Sequence, residues 1–374
     1  MVITPFSVYI HIPFCKKKCP YCSFYVVKDR KEEQALFWQA LQREWEEKLP
    51  LMEGKKLVSL YFGGGTPTLF PPEWVAAFLR RVETSGFPLD GVEISLEANP
   101  EEGELPLFST LRSIGINRLS IGVQSLDDEL LLKIGRAHGA KRAREALFAA
   151  EKAGFQNVSI DLLFDLPGQT EESFQKSLEE LPHLPIHHLS LYNLTLEQDT
   201  PLYRKKNRLT FPSPALSLQL LEHALSLLPR AGLTRYEISA FAKNGLSSRH
   251  NLGYWTGRPF LGFGPSAFSY WEGERIRNTL NLVRYAKLIE ESLSPIDFRE
   301  RLSPIKAAQE LFLVRLRLTE GAVLSDFPDL PDQMLITCKA LAQEEYLEEE
   351  KGTIRLTHKG MLFYDTVASE LFSV

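Results

Sequence analysis

The sequence predicts an α/β protein built on a partial (β/α)6 barrel, followed by a small C-terminal α+β domain of winged-helix-like character. Three observations carry that expectation. Six short runs rich in β-branched and aromatic residues are separated by segments with helical spacing. Successive runs start roughly 27 to 50 residues apart, the length of a βαβ crossover in a parallel sheet. Chemistry-bearing motifs fall just past the ends of these runs, where parallel α/β architectures gather their ligands.

The strand candidates are "SVYIHI" (7–12), "LVSLYFGG" (57–64), "GVEISLEA" (91–98), "RLSIGVQ" (118–124), "NVSIDLLFDL" (157–166) and "HLSLYNLTL" (188–196). Between them, "EEQALFWQALQREWEEKL", "PPEWVAAFLRRVETS" and "AKRAREALFAAEKAG" read as helices, the last ended by Gly154. Six such units are fewer than the eight of a closed TIM barrel. Residues 1–200 form the expected barrel core. Residues 201–300 cap it, with a polar loop (198–214), a helix (215–231) and a loop-dominated stretch, "SSRHNLGYWTGRPFLGFGPSAFSYWEG", rich in glycine and aromatics. Residues 301–374 make the small domain: a helix from Ser303, then helix, hairpin "YLEEEKGTIRLT" and helix.

The chain has 374 residues, 44% hydrophobic and 24% charged, with a net charge of −5 and a pI near 6.0. Its basic groups are dispersed, so nucleic acid is not an expected partner, and the acidic run around Glu344, Glu345 and Glu348 to Glu350 argues against DNA binding by the small domain. The start lacks a basic leader and a small-residue cleavage site, and no segment holds 18 uninterrupted apolar residues. A cytoplasmic location follows as an expectation; peripheral membrane contact and a homodimer stay open. In a reducing compartment clustered cysteines read as metal ligands rather than disulfides. Cys338, alone, reads as a buried small hydrophobe.

Cys15, Cys19 and Cys22 have the spacing C-x3-C-x2-C after the first strand. A compact loop of that kind can turn three thiolates onto one face of a metal centre. The competing readings are a Cys3His zinc site with His11 as fourth ligand, and three incidental thiols. A 4Fe–4S cluster on three cysteines leaves one iron open to a small molecule, so three thiols suggest chemistry rather than a structural staple.

These residues resemble the radical S-adenosylmethionine (radical SAM) superfamily, in which C-x3-C-x2-C follows the first strand of a partial barrel and an aromatic, here Tyr21, precedes the last cysteine. The resemblance implies a 4Fe–4S cluster on Cys15, Cys19 and Cys22 that binds and reductively cleaves S-adenosylmethionine. "FGGGTPT" after strand two places Gly63, Gly64, Gly65 and Thr66 beside that cofactor, and glycine amides there are free to bond a ligand. The order Tyr9, GGGTPT, Glu97, Gln124, Arg136, Asp161 resembles oxygen-independent coproporphyrinogen III oxidase and its relatives, where the matching residues bind S-adenosylmethionine.

Within that group the oxidase pattern has a further cysteine where this chain has Phe24, and an N-terminal extension before strand one. "RHNLGYW" (249–255) instead resembles the H-N-x-x-Y-W haem-binding motif of the haem-chaperone branch, and "GFGPSAFSY" also matches that branch. The resemblance implies haem binding at His250, Asn251, Tyr254 and Trp255, with delivery to respiratory haem apoproteins. On chemistry alone, His250 offers an imidazole for iron, while Tyr254 and Trp255 offer flat apolar faces; an aromatic loop packed on the barrel is the bland alternative. Lys16, Lys17 and Lys18 read as a solvated basic turn, or as a docking patch for an acidic flavodoxin-like electron donor.

Overall fold

A computed structural model describes residues 3–372. Six parallel strands run in chain order: β1 (Pro5–Ile12), β2 (Lys56–Gly64), β3 (Glu93–Ala98), β4 (Arg118–Gln124), β5 (Val158–Phe164) and β6 (His188–Asn193). They form an open (β/α)6 barrel, because β1 and β6 do not pair with each other but each take other neighbours.

Alternation along each strand divides the molecule into two environments. One set, including Val8, Ile10, Leu60, Phe62, Leu119, Ile121 and Ile160, is buried beneath helices and builds the main apolar cluster. The helices α1 (Lys31–Met52), α2 (Pro72–Thr84), α3 (Leu105–Ser113), α4 (Ala140–Lys152), α5 (Glu171–Glu180) and α6 (Pro214–Leu227) return their apolar faces to it, as where Trp45 meets Phe78 edge-on at 5.3 Å. Helix α5 opens with a capping box between Thr170 and Ser173, and Gly154, at φ +86°, ends the turn after α4.

The other set faces the lumen and is polar: Ser7, Tyr9, His11, Ser59, Tyr61, Glu97, Ser120, Asp161, His188 and Ser190. Strands of a parallel sheet buried on both faces are ordinarily apolar throughout. The serines and carboxylates therefore mark the lumen as a place for ligands.

Residues 232–301, which contain the stretch expected to be loop-dominated (247–273), hold regular elements instead. They supply six further strands, which continue the same sheet beyond both barrel edges. β7 (Thr234–Glu237) and β8 (Ala240–Ala242) follow β6, while β9 (Phe260–Phe263) lies parallel to β1 and is followed by antiparallel β10 (Phe268–Trp271), β11 (Glu274–Asn278) and β12 (Ile296–Arg301). Between these groups "RHNLGYW" is itself a helix, α7 (Arg249–Trp255), not a loop. Its N-terminus is satisfied by Ser248, which accepts from Asn251 N, and by Glu93, whose carboxylate takes the amides of Arg249 and His250 at 3.0 and 2.9 Å.

The C-terminal part packs helices α8 (Pro304–Arg315), α9 (Asp332–Gln343) and α10 (Tyr364–Phe372) with a three-stranded sheet in the order β13 (Ala322–Val323), β15 (Thr353–Leu356), β14 (Leu347–Glu350). It has its own apolar cluster, including Phe312, Leu316, Met334, Cys338 and Val367. Cys338 is 4% exposed, the buried small hydrophobe its isolation suggested. Among the described residues no helix is long and apolar enough to cross a membrane.

Candidate cofactor mouth and a second, apolar cavity

The loop after β1 carries Cys15, Cys19 and Cys22 to the carboxyl ends of the strands, where all three line one cavity with Tyr21, Gly64, Gly65, Thr66, Glu97, Gln124, Arg136 and Asp161. Tyr9 and Gly63 sit beneath it, in the lumen. The wall also holds Asn99, Ser120 and Gly122, which the sequence did not single out. Asn99 donates to Thr66 Oγ1 at 2.8 Å and accepts from Arg136 Nη2 at 2.9 Å, so it ties the glycine turn to the arginine.

The glycine turn works differently from the expectation that its amides are free. Gly64 N donates to Glu97 Oε2 at 3.0 Å, Gly65 N to the Ile12 carbonyl at 2.8 Å and Thr66 N to the Phe14 carbonyl at 2.7 Å. The glycines are required for close approach of backbone to backbone. A Cβ on Gly64, which has φ +110°, would lie 2.6 Å from His11, and one on Gly65 2.5 Å from the Phe14 carbonyl oxygen.

Electrostatics in the mouth are unusual. Burial, with the nearby Asp161 charge, lifts the Glu97 carboxyl to about 7, although Tyr61 and the Gly64 amide hydrogen-bond its ionised form. Burial lifts Asp161 to about 6. Two buried carboxylates with few cationic partners suit a cationic ligand group, whose charge would return both to the ionised state. Gln124 ends β4 with φ +66°, a left-handed residue that bends its strand at the cavity.

The thiol loop fits a cluster better than zinc. His11, the fourth ligand a Cys3His zinc site would need, is 5% exposed, with Nδ1 3.0 Å from the Tyr9 hydroxyl and Nε2 2.9 Å from the Tyr25 carbonyl. Among the described residues, no three His, Cys, Asp or Glu side chains are gathered for one ion; the thiols are spread around a shared cavity, as a cluster taking one thiolate per iron requires. Arg136 Nη1 lies 3.3 Å from Cys19 Sγ, placing a fixed positive charge against the thiol loop. Burial pushes the free Cys15 thiol up to about 11; a bound metal would reverse this. Two of the three lysines have local partners: Lys16 pairs with Glu102 at 2.8 Å, and Lys18 holds the Phe24 carbonyl at 2.8 Å.

Helix α7 lies elsewhere. Its Tyr254 and Trp255 line a second, apolar cavity with Phe260, Phe268, Leu311 and Val314, sharing no residue with the cofactor mouth. His250, 2% exposed, does not line that cavity. Its Nδ1 is 3.0 Å from Ser59 Oγ and its Nε2 2.9 Å from the Tyr254 hydroxyl, so coordinating iron would require breaking one of these bonds. Asn251 is half-buried at the helix start and is not part of the cavity wall.

The Radical SAM superfamily pattern matches residues 9–181. Heme chaperone HemW of Bacillus subtilis is 34% identical over 372 residues, covering 96% of this chain and 97% of that protein. The chain belongs to the HemW family of radical SAM proteins. A zebrafish (Danio rerio) relative, "Radical S-adenosyl methionine domain-containing protein 1, mitochondrial", is 32% identical over 379 residues, 96% of this chain and 85% of its own length. Among solved structures, the coproporphyrinogen III oxidase HemN of Escherichia coli superposes with a TM-score of 0.87 at 25% identity, covering 99% of this chain and 91% of that one. Family membership implies a 4Fe–4S cluster and S-adenosylmethionine.

Proposed function

We propose that this protein is a cytoplasmic haem chaperone: it binds haem through α7, works beside a 4Fe–4S cluster on Cys15, Cys19 and Cys22 with S-adenosylmethionine, and passes haem to respiratory haem apoproteins. The observation that carries the reading is that Tyr254 and Trp255 of "HNLGYW" both line an apolar cavity distinct from the cofactor mouth. A porphyrin needs flat apolar walls, and two adjacent aromatic side chains supply them.

In the mouth, Glu97 and Asp161 would accept from the cationic end of S-adenosylmethionine, Arg136 holds the thiol loop through Cys19, and a cluster on the three thiols would supply one-electron reducing power. Tyr9, Tyr61 and His250 fill the lumen below: Tyr9 and Tyr61 stack at 6.1 Å, and Tyr61 meets His250 at 4.9 Å. Tyr9 and Tyr61 stand between the mouth and α7, which reaches them through His250. An acidic flavodoxin-like donor docked at the lysine-bearing loop would supply the cluster's electron.

The second reading is coproporphyrinogen III oxidation, favoured by the superposition on HemN. Phe24, 64% exposed at the cavity rim, stands where the oxidase pattern has a cysteine. Anaerobic reconstitution with iron and sulfide, followed by coproporphyrinogen III with reductant and S-adenosylmethionine, separates the two. The chaperone reading predicts no protoporphyrinogen; its formation at catalytic turnover refutes that reading.

A further inference from the structure

From the composition of the apolar cavity we infer that the C-terminal module is its movable wall, and that Arg258 and Arg275 are the clamps for the carboxylates of a flat amphiphile bound there. The inference rests on the haem reading and assigns that ligand's seat.

One wall belongs to α7, the turn after it and the extended sheet: Tyr254 and Trp255, Gly257 and Arg258, Phe260 and Phe268. The facing wall is α8 of the C-terminal module, through Ala307, Glu310, Leu311 and Val314. The two walls touch at Gly257, where a Cβ would lie 2.5 Å from Leu311 Cδ1. The cavity between them is about 210 Å³ and open to solvent on one side, small beside the roughly 300 to 1,000 Å³ of ordinary ligand sites. A tetrapyrrole buried between the two walls would need α8 to move outward.

The contacts across the cavity are of a kind that can be exchanged. Arg275 on β11 pairs with Glu310 on α8 at 3.2 Å and with Glu300 at 3.0 Å, while its Nε is buried without a partner. Pairs exposed to about a third of their surface hold weakly. A ligand carboxylate reaching Arg275 replaces Glu310 and loosens α8 as it binds. Arg258 bonds the Arg249 carbonyl at 2.9 Å and Ser7 Oγ at 3.3 Å through Nη1, and it too lines the cavity. Trp255 is held from behind by Arg317, whose guanidinium stands 4.3 Å over its ring and pairs with Glu237 at 3.2 Å. Arg317 lies at the junction with the C-terminal module, so the ring that would face the ligand and the moving wall share one support.

Charge and shape favour a planar apolar body with carboxylate tails over a neutral lipid or a peptide. The test titrates the full-length protein with ferric haem and, separately, with haem dimethyl ester, following Soret absorbance. The wild type should prefer the free acid. Arg258→Gln with Arg275→Gln should cut free-acid affinity about tenfold or more and leave the ester nearly unchanged, as loss of charge-assisted bonds requires. Leu311→Trp, which fills the cavity, should abolish uptake of both, with the circular dichroism spectrum retained. Uptake by Leu311→Trp equal to wild type, or an undiminished free-acid preference in the double arginine variant, overturns this inference and leaves the haem reading standing. A wild type that takes up no haem overturns both. If Leu311→Trp fails to fold, the ester comparison in the arginine variant decides alone.

Discussion

His250 and Tyr254 are joined inside the barrel by a 2.9 Å hydrogen bond between Nε2 and the phenolic oxygen, one helical turn apart on α7. Ser59 holds the other ring nitrogen, and burial keeps the imidazole neutral down to about 3. From Glu97 in the mouth to Tyr254 in the apolar cavity, the connection is three contacts long: Glu97 to Tyr61 at 2.9 Å, Tyr61 to His250 ring to ring, and His250 to Tyr254. His250 is placed to orient the wall of one site beneath the floor of the other.

His250→Ala should therefore act first on stability. It leaves a cavity and strands two buried hydroxyl partners, a loss of roughly 2 to 4 kcal/mol. The Soret position of haem-loaded protein should stay where it is in the wild type. Thermal unfolding and absorbance on the same sample check this; a shifted Soret band with unchanged stability would show that the imidazole reaches the iron.

Binding of S-adenosylmethionine should strengthen as pH rises through about 7. Glu97 must be ionised to receive a cation, and its carboxyl is lifted to about 7 by burial and by Asp161. Tyr61→Phe removes a hydrogen bond that favours the ionised form, so it should move the midpoint to higher pH. Isothermal titration of the reconstituted protein across pH 6 to 9 reads both effects, and a pH-independent affinity contradicts them.

The same carboxyl sets a sign for the stability of the protein without its cofactors. Its folded-state value exceeds the ordinary 4.5, so its contribution is fully present below about pH 4.5 and is lost as pH rises through 7. At about 1.4 kcal/mol per pH unit, the loss is at most roughly 3.5 kcal/mol. Glu97→Gln should flatten the fall in melting temperature between pH 5 and 8, and an unchanged pH profile in that variant counts against the assignment.

Replacing Cys15, Cys19 or Cys22 singly with serine should each lower iron and sulfide content to near background after reconstitution, because a cluster held at three irons has no spare protein ligand. His11→Asn should keep the metal, since His11 is occupied by Tyr9 and Tyr25. Gly64→Ala should fail earlier, in folding, with a Cβ 2.6 Å from the His11 ring at φ +110°. Iron analysis and circular dichroism together distinguish these three behaviours.

The six barrel strands were legible because each is a compact β-branched run between helical segments, and the cysteines because their spacing is local. The strand at Phe260–Phe263 was not, since four residues containing a glycine carry no periodicity; Gly262 is there because a Cβ would lie 2.0 Å from the Phe268 carbonyl oxygen. Helix α7 read as a loop because it is short, contains Gly253, and takes part of its N-terminal capping from Glu93, some 150 residues earlier. Asn99 escaped notice because its role depends on Thr66 and Arg136 arriving from other strands. The free amides expected of the glycine turn were claimed by partners that only the fold brings near.

The most direct test of two separate sites is haem titration of the protein with Cys15, Cys19 and Cys22 all replaced by serine. The account predicts no cluster absorbance but stoichiometric haem uptake with the wild-type affinity and Soret position. Loss of haem binding along with the cluster would mean that the haem site is the cofactor mouth itself, and would contradict the assignment of Tyr254 and Trp255.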